Sequence, residues 1–169
     1  CLEKIDNGGN FFVGNSMPIR NIDMYSLPSK QKINVYSNRG ASGIDGIISS
    51  AMGMSYSSNT SSLLLIGDVS FYHDMNGLLA AEDVNNLTII VINNNGGGIF
   101  SFLPIAQSGI SNFNKYWTTN PNLKIKKIAD LYNCKYYFPD NLNDLKKSIK
   151  DSFKKNGVKI IEVKININE

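Results

Sequence analysis

The sequence IVINNNGGGIFSF, residues 90–102, joins a run of β-branched residues to three asparagines and three glycines, after which apolar residues resume. The first part is typical of a buried strand, because branched side chains pack well on a pleated surface. The second part contains more asparagine and glycine than a simple chain reversal requires. We therefore interpret the stretch as a buried strand followed by a loop that binds a ligand.

Four other segments share the short, β-rich and mostly uncharged character of residues 87–93, namely residues 10–14, 33–37, 62–67 and 158–165. Such apolar runs indicate strands that are buried on both faces of a parallel sheet. Helical patterns lie between the strands, over residues 43–56, 73–84, 124–133 and 140–155. Asp140 is the predicted N-cap of the last helix. The alternation predicts an α/β fold with a doubly wound, mainly parallel sheet and helices on both faces.

Composition favours one globular domain spanning residues 1–169, with 42% hydrophobic and 18% charged residues. A net charge of +3, without a basic patch interleaved with aromatics, gives little support for a nucleic-acid partner. No apolar run approaches the roughly 20 residues that a membrane span needs. Cys1 and Cys134 show neither metal-ligand spacing nor a disulfide framework, and Cys134 is expected to be a small core residue.

Small and polar residues follow each of the first four predicted strands, in the stretches GNSMPIR, SNRGASG, GDVSFYHD and NNNGGGIF. In doubly wound sheets, ligands bind at the carboxyl ends of the strands. We therefore expect a binding site at that edge of the sheet. Residues 108–122 form the one long irregular loop, and loops of that length in compact domains are often functional.

Asp68 and the asparagine run follow adjacent strands, so they can lie side by side. One carboxylate, one amide oxygen and one backbone carbonyl would form half of an octahedral shell, which suits Mg²⁺ with its preference for a few protein oxygens plus phosphate and water. An alternative stays open. The turn GASGIDG, residues 40–46, could bind phosphate at a helix start, with Asp68 as the ribose-binding acid of a nicotinamide-binding Rossmann domain.

The spacing of Gly67-Asp68 and Asn93-Asn94 resembles the G-D…N-N signature of thiamine-diphosphate enzymes. The stretches GNSMPIR, SNRGASGIDG, GDVSFYHDMNGLLA and NNNGGGIFSFLP each resemble the MenD family of SEPHCHC synthases, which act in menaquinone and phylloquinone biosynthesis. These motifs span residues 14–104, and the C-terminal third matches only in its strand and helix pattern. The resemblance implies the diphosphate-binding (PP) domain, the C-terminal piece of a longer enzyme. Another thiamine-diphosphate-dependent decarboxylase or carboligase domain is the alternative.

The resemblance also implies a role for each residue of the motifs. The ligands of Mg²⁺ or Mn²⁺ would be Asp68, Asn94 and the backbone carbonyl of Gly96. The cofactor would contact Ser42, Gly43, Ile44, Gly67, Asp68, Ser70, Asn94, Gly96 and Ile99, with Ile44 beneath the bend of its V-shaped conformation. Substrate would contact Ser16, Arg20, Arg39 and Phe100. The two arginines would bind substrate carboxylates, for which a planar guanidinium is well suited.

The implied reaction decarboxylates 2-oxoglutarate and adds the resulting enamine to isochorismate. The activating Glu is expected on a pyrimidine-binding domain of the same enzyme, supplied by another subunit of a homo-oligomer. This chain is therefore expected to hold no catalytic residue and to be inactive alone. His73, the only histidine, is expected to have a structural role at a helix start. The expected location is the cytoplasm or the plastid stroma.

Overall fold

One sheet of six strands forms the centre of the computed structural model, which describes residues 2–28 and 30–165. In chain order the strands are β1 (Asn10–Val13), β2 (Asn34–Tyr36), β3 (Ser62–Gly67), β4 (Leu87–Asn93), β5 (Lys135–Tyr137) and β6 (Lys159–Lys164). Their spatial order is β2-β1-β3-β4-β6-β5, and every neighbouring pair is parallel. The predicted α/β fold with a mainly parallel sheet is confirmed.

In the described part of the chain, five α-helices connect the strands: α1 (Met17–Tyr25), α2 (Ile47–Tyr56), α3 (Asp68–His73), α4 (Ile125–Leu131) and α5 (Leu142–Ser152). Short 3₁₀ segments cover Leu2–Lys4, Met75–Asp83, Gly98–Phe102 and Pro104–Gln107, and a π-helical turn covers Asn114–Thr118. Among the described residues, none of the helices combines the length and the apolar character that a membrane span requires.

Alternation of side chains along the strands creates two apolar layers, one on each face of the sheet. On one face, Leu64, Ile89 and Ile160 pack with residues of α2, α3 and α4. On the other face, Leu63, Ile90 and Ile161 pack with residues of α1 and α5. Full burial of one such side chain contributes about 1.5–3 kcal/mol. The sheet is therefore covered by helices on both faces, as predicted.

Cys134 belongs to the first of these layers and is 7% exposed. Burial raises the pKa of its thiol to about 11, so the group stays protonated. Its predicted role as a small core residue is confirmed. Cys1 lies outside the described residues.

All five predicted strands are present, but β5 and α1 were not predicted. The predicted helix 73–84 is wrong in its bounds, because α3 begins at Asp68 and residues Met75–Asp83 form a 3₁₀ segment. His73 is accordingly the last residue of α3, not the start of a helix. The physical reason is Asp74, whose carboxylate accepts hydrogen bonds from the backbone N–H (2.8 Å) and hydroxyl (3.0 Å) of Ser49 on α2.

Asp140 was the predicted N-cap of α5, and this prediction is wrong by one residue. The cap is Asn141, whose Oδ1 accepts hydrogen bonds from the backbone N–H groups of Asn143 (2.9 Å) and Asp144 (3.0 Å). Asn141 is in the extended conformation that this geometry requires.

Replacing Asn141 with Ala should lower the free energy of unfolding by about 0.5–2 kcal/mol, because two N–H groups of α5 lose their acceptor. Urea unfolding of the purified chain, followed by circular dichroism, measures this. Asp140→Ala is the matched control and should change the stability little. A larger loss at Asp140 than at Asn141 would contradict the assignment of the cap.

Candidate functional site

A carboxylate, a backbone carbonyl and a side-chain amide converge where β3 and β4 end. Asp68 directly follows β3, whereas Asn94 and Gly96 follow β4. One of the two head-group atoms of the Asn94 amide lies 2.8 Å from the carbonyl oxygen of Gly96 and 3.2 Å from Oδ1 of Asp68. Neighbouring oxygens around an octahedral Mg²⁺ with bonds of 2.0–2.1 Å are about 3 Å apart. The cluster therefore has the spacing and the donor chemistry that a small divalent cation requires.

The amide of Asn94 can adopt two orientations in this cluster. In the first, its oxygen would face the oxygens of Gly96 and Asp68, an arrangement that a cation between them would stabilise. After a half-turn of the amide, its NH₂ would instead donate hydrogen bonds to Gly96 and Asp68. The same side chain can thus satisfy its neighbours with or without a bound ion.

Asp68 is 2% exposed, and both of its carboxylate oxygens accept backbone hydrogen bonds. Oδ1 accepts from the N–H of Val69 at 2.9 Å, and Oδ2 accepts from the N–H of Gly96 at 2.8 Å. Burial raises the pKa of the carboxyl above its ordinary 3.8, while these N–H groups oppose the rise. A desolvated carboxylate in a fixed orientation is well suited to hold a cation.

Each asparagine of the NNN run has a different task. Oδ1 of Asn93 accepts a hydrogen bond from the N–H of Asn95 at 3.1 Å, which closes a local turn. Asn95, with φ 61°, exchanges two hydrogen bonds with Asn122, at 3.2 and 3.1 Å. Asn94 alone faces the oxygen cluster. The run therefore shapes its own loop, directs one amide toward Asp68 and Gly96, and anchors the end of the long loop 108–122.

Two glycines pack closely against the backbone of that long loop. Gly96 has φ 143°, and a Cβ there would lie 2.5 Å from the carbonyl oxygen of Thr118. The N–H of Gly97 donates to that same oxygen at 2.7 Å. Only glycine fits at residue 96, since both the conformation and the space exclude a side chain.

Ile99 and Phe100 lie half-buried in the 3₁₀ segment Gly98–Phe102. The ring of Phe100 meets Trp117 edge-on, with centroids 5.9 Å apart, and Trp117 stacks on Phe113 at 6.1 Å. Sequence reasoning did not single out these last two aromatics. Their only signal was their position in the long irregular loop.

A buried amide connects the ends of β1 and β2. Asn15, 2% exposed, donates hydrogen bonds from Nδ2 to the carbonyl oxygens of Asn38 (2.9 Å) and Gly43 (2.6 Å). Its Oδ1 accepts from a guanidinium N–H of Arg39 at 3.3 Å. Asn15 was missed at the sequence level, although it lies within the GNSMPIR motif. It brings together two of the predicted contacts, Gly43 and Arg39.

The next residue, Ser16, has φ 69°, and its carbonyl oxygen accepts a hydrogen bond from Arg20 at 2.7 Å. Both arginines are exposed, and each donates one guanidinium hydrogen bond to a protein oxygen. Four further predicted contacts lie after neighbouring strands. Ser42 is exposed and Ile44 half-buried after β2, Gly67 ends β3, and Ser70 is buried in α3.

Within residues 2–28 and 30–165, no group of three or more His, Cys, Asp or Glu residues could hold a metal ion. A cation at Asp68 would therefore depend on the amide of Asn94 and the carbonyl of Gly96. That donor set is hard and oxygen-only, which favours Mg²⁺ or Mn²⁺ over metals that prefer histidine or thiolate.

Comparison with known proteins gives a family match over most of the chain. The family model for the thiamine pyrophosphate enzyme, C-terminal TPP binding domain, matches residues 21–163. The 2-succinyl-5-enolpyruvyl-6-hydroxy-3-cyclohexene-1-carboxylate synthase of Bacillus velezensis is 45% identical over 161 residues, which is 95% of this chain and 28% of that protein. The synthase of the same name from Listeria monocytogenes is 46% identical over 159 residues, or 94% of this chain and 27% of that protein.

The fold is also found in a solved structure. Benzoylformate decarboxylase from Polynucleobacter necessarius superimposes with a TM-score of 0.78 at 18% identity, covering 98% of this chain and 31% of that one. This likeness supports the fold alone. The chain thus spans less than a third of the length of the proteins that it matches.

Replacing Gly96 with Ala should lower the free energy of unfolding by about 1–3 kcal/mol, because the new Cβ meets Thr118 in a conformation that alanine avoids. Gly53→Ala is the matched control. Gly53 lies inside α2 with open space where a Cβ would stand, so that exchange should raise stability by about 0.5–1 kcal/mol. Urea unfolding of both variants measures the contrast, and equal effects would contradict it.

Proposed function

Because the chain belongs to the thiamine pyrophosphate enzyme family, as its C-terminal TPP binding domain, we propose that it holds the diphosphate of thiamine diphosphate through Mg²⁺ or Mn²⁺ at Asp68, Asn94 and Gly96. The observation that carries this proposal is the convergence of the Asp68 carboxylate, the Gly96 carbonyl and the Asn94 amide at the spacing of cation ligands. Diphosphate oxygens and water would complete the shell, as Mg²⁺ sites commonly require.

The remaining cofactor contacts are proposed on the same edge of the sheet. Ile44 and Ile99 are half-buried apolar side chains, suited to the ring system of the cofactor. Ser42, Gly43, Gly67 and Ser70 are proposed to lie beside its polar parts. Support comes from their position at the ends of β2 and β3, where ligands of such sheets bind.

We propose that the whole enzyme is a SEPHCHC synthase that acts on 2-oxoglutarate and isochorismate in menaquinone or phylloquinone biosynthesis. The names and identities of the two synthases support this. Bound thiamine diphosphate would supply the carbon nucleophile and accept the electron pair released with carbon dioxide. In this proposal, Arg20 and Arg39 orient the carboxylates of both substrates, with Ser16 and Phe100 beside them.

We further propose that a pyrimidine-binding domain completes the site and carries the activating Glu, within a homo-oligomer. The greater length of the relatives supports this part of the proposal. Nicotinamide binding is the alternative that the family match does not favour.

Asp68→Ala should abolish the Mg²⁺-dependent stabilisation of the chain by thiamine diphosphate. A ligand at 100 times its Kd stabilises a folded protein by about 2.7 kcal/mol, so the effect is measurable by thermal unfolding. Asp83→Ala, at an exposed site in the 3₁₀ segment, should leave it intact. Stabilisation by NAD, or stabilisation by thiamine diphosphate that survives EDTA, would contradict the proposal.

Arg39→Lys should raise the KM of one or both substrates about tenfold or more in the assembled enzyme, and should change the Kd of thiamine diphosphate less. A hydrogen bond to a charged group contributes about 1.5–3 kcal/mol, and lysine lacks the planar pair of donors. Steady-state kinetics and calorimetry separate the two effects. Lys126→Arg on α4 controls for the exchange itself. An equal loss of cofactor and substrate binding would argue against carboxylate recognition.

A further inference from the structure

A second buried carboxylate is linked through Asn93 to the loop that carries Asn94 and Gly96. Glu162 on β6 is 7% exposed. Its Oε1 accepts a hydrogen bond from Nδ2 of Asn93 at 2.6 Å, and its Oε2 accepts one from the hydroxyl of Tyr136 at 2.5 Å. The three side chains lie on three neighbouring strands, β4, β6 and β5.

Strand register places these groups on one face of the sheet. Glu162 pairs with Val91, which lies in the same apolar layer as Ile160. Because side chains alternate, Asn93 lies two residues beyond Val91 on that face, and Glu162 lies two beyond Ile160. Tyr136 also packs against this layer. A polar row therefore crosses the carboxyl end of the sheet.

The side chain of Asn93 connects Glu162 to the loop that contains Asn94 and Gly96. The amide of Asn93 donates to Glu162 through its nitrogen and accepts from the N–H of Asn95 through its oxygen. The amide is thus fixed at both ends. Asn95 has the left-handed conformation that this local turn supports. Asn94 and Gly96, on either side of Asn95, present the proposed ligands.

Tyr136 fixes the other oxygen of the carboxylate. Burial, followed by the hydrogen bond and the charge of Glu162, raises the pKa of the phenol, so its proton stays available for donation. A buried ion pair or buried carboxylate is weak evidence for stability, since apolar replacements are often at least as stable. The arrangement suggests a purpose other than stability.

We propose that Glu162 is a positioning residue for the divalent cation: it holds Asn93 so that the turn at Asn95 aims Asn94 and Gly96 at Asp68. The inference rests on the proposed cation role of those ligands. Partners bonded directly to metal ligands typically contribute about 10–100-fold to metal affinity, and Glu162 acts one step further out, through Asn93. Glu162 touches neither the cofactor nor the reacting atoms in this scheme.

The test measures the Kd of Mn²⁺ for the full 169-residue chain in saturating thiamine diphosphate, from the paramagnetic resonance signal of free Mn²⁺. Glu162→Ala should raise this Kd about tenfold, the lower end of that range, because Glu162 acts on the ligands through Asn93. Glu162→Asp keeps the charge but withdraws it from Asn93, and should also raise the Kd. Glu162→Gln should stay within about threefold, because its oxygen can accept from Asn93 while its NH₂ donates to the hydroxyl of Tyr136.

Thr88→Val is the matched control, because it removes another buried hydrogen bond at the opposite end of β4. The hydroxyl of Thr88 donates to that of Ser152 at 3.1 Å. This variant should lower the thermal unfolding temperature and leave the Kd of Mn²⁺ unchanged. If Glu162→Ala does not fold, Glu162→Asp and Glu162→Gln decide the question.

Two failures can be told apart. If the wild-type chain, and Asp68→Ala equally, show no specific binding of Mn²⁺ with thiamine diphosphate, the proposed function fails. If the wild type binds and Asp68→Ala does not, but Glu162→Asp binds like the wild type, the positioning role is overturned. A loss in Glu162→Gln equal to that in Glu162→Ala would also overturn it, since the charge alone would then matter.

Discussion

The hydrogen bond from the N–H of Gly96 to the carboxylate of Asp68, 2.8 Å long and fully buried, is the contact on which the candidate site depends. It joins the chain leaving β3 to the chain leaving β4, at the edge where all parallel strands end. Because a buried carboxylate is costly without donors, this bond also makes the burial of Asp68 tolerable. The position of Gly96 in turn determines where the long loop can dock through Thr118.

Local chemistry made the sheet predictable. Runs of branched residues such as 87–93 favour buried strands, so each of the longer described strands was located from the sequence. The short strand β5, Lys135–Tyr137, was missed because its exposed first residue and polar character give no such signal. Residues 73–84 were predicted as one helix because their pattern is helical. The contact between Asp74 and Ser49, 25 residues apart, ends α3 instead.

The site likewise has residues that a local sequence pattern identifies and residues that only long-range contacts identify. Spacing and family resemblance pointed to Asp68, Asn94 and Gly96, and the structure brings these three together. Asn15 and Glu162 were missed, because their partners lie 23–28 and 26–69 residues away in sequence. An asparagine beside other asparagines, or a glutamate in a strand, has no distinctive pattern. Only the register of the strands shows what each side chain meets.

Asparagine at residue 94 is better suited to this cluster than aspartate would be. A second carboxylate oxygen 3.2 Å from Asp68 would place two like charges together in a buried site, and one of them would have to be protonated in the absence of a cation. The amide avoids that cost, because a half-turn converts its ligand oxygen into a hydrogen-bond donor. Within the described residues, every fully buried side-chain nitrogen or oxygen has a hydrogen-bond partner. If the proposed cation binds here, a site that satisfies its own polar groups beforehand can fold first and bind later, and the Asn94 amide is the group that suits both states.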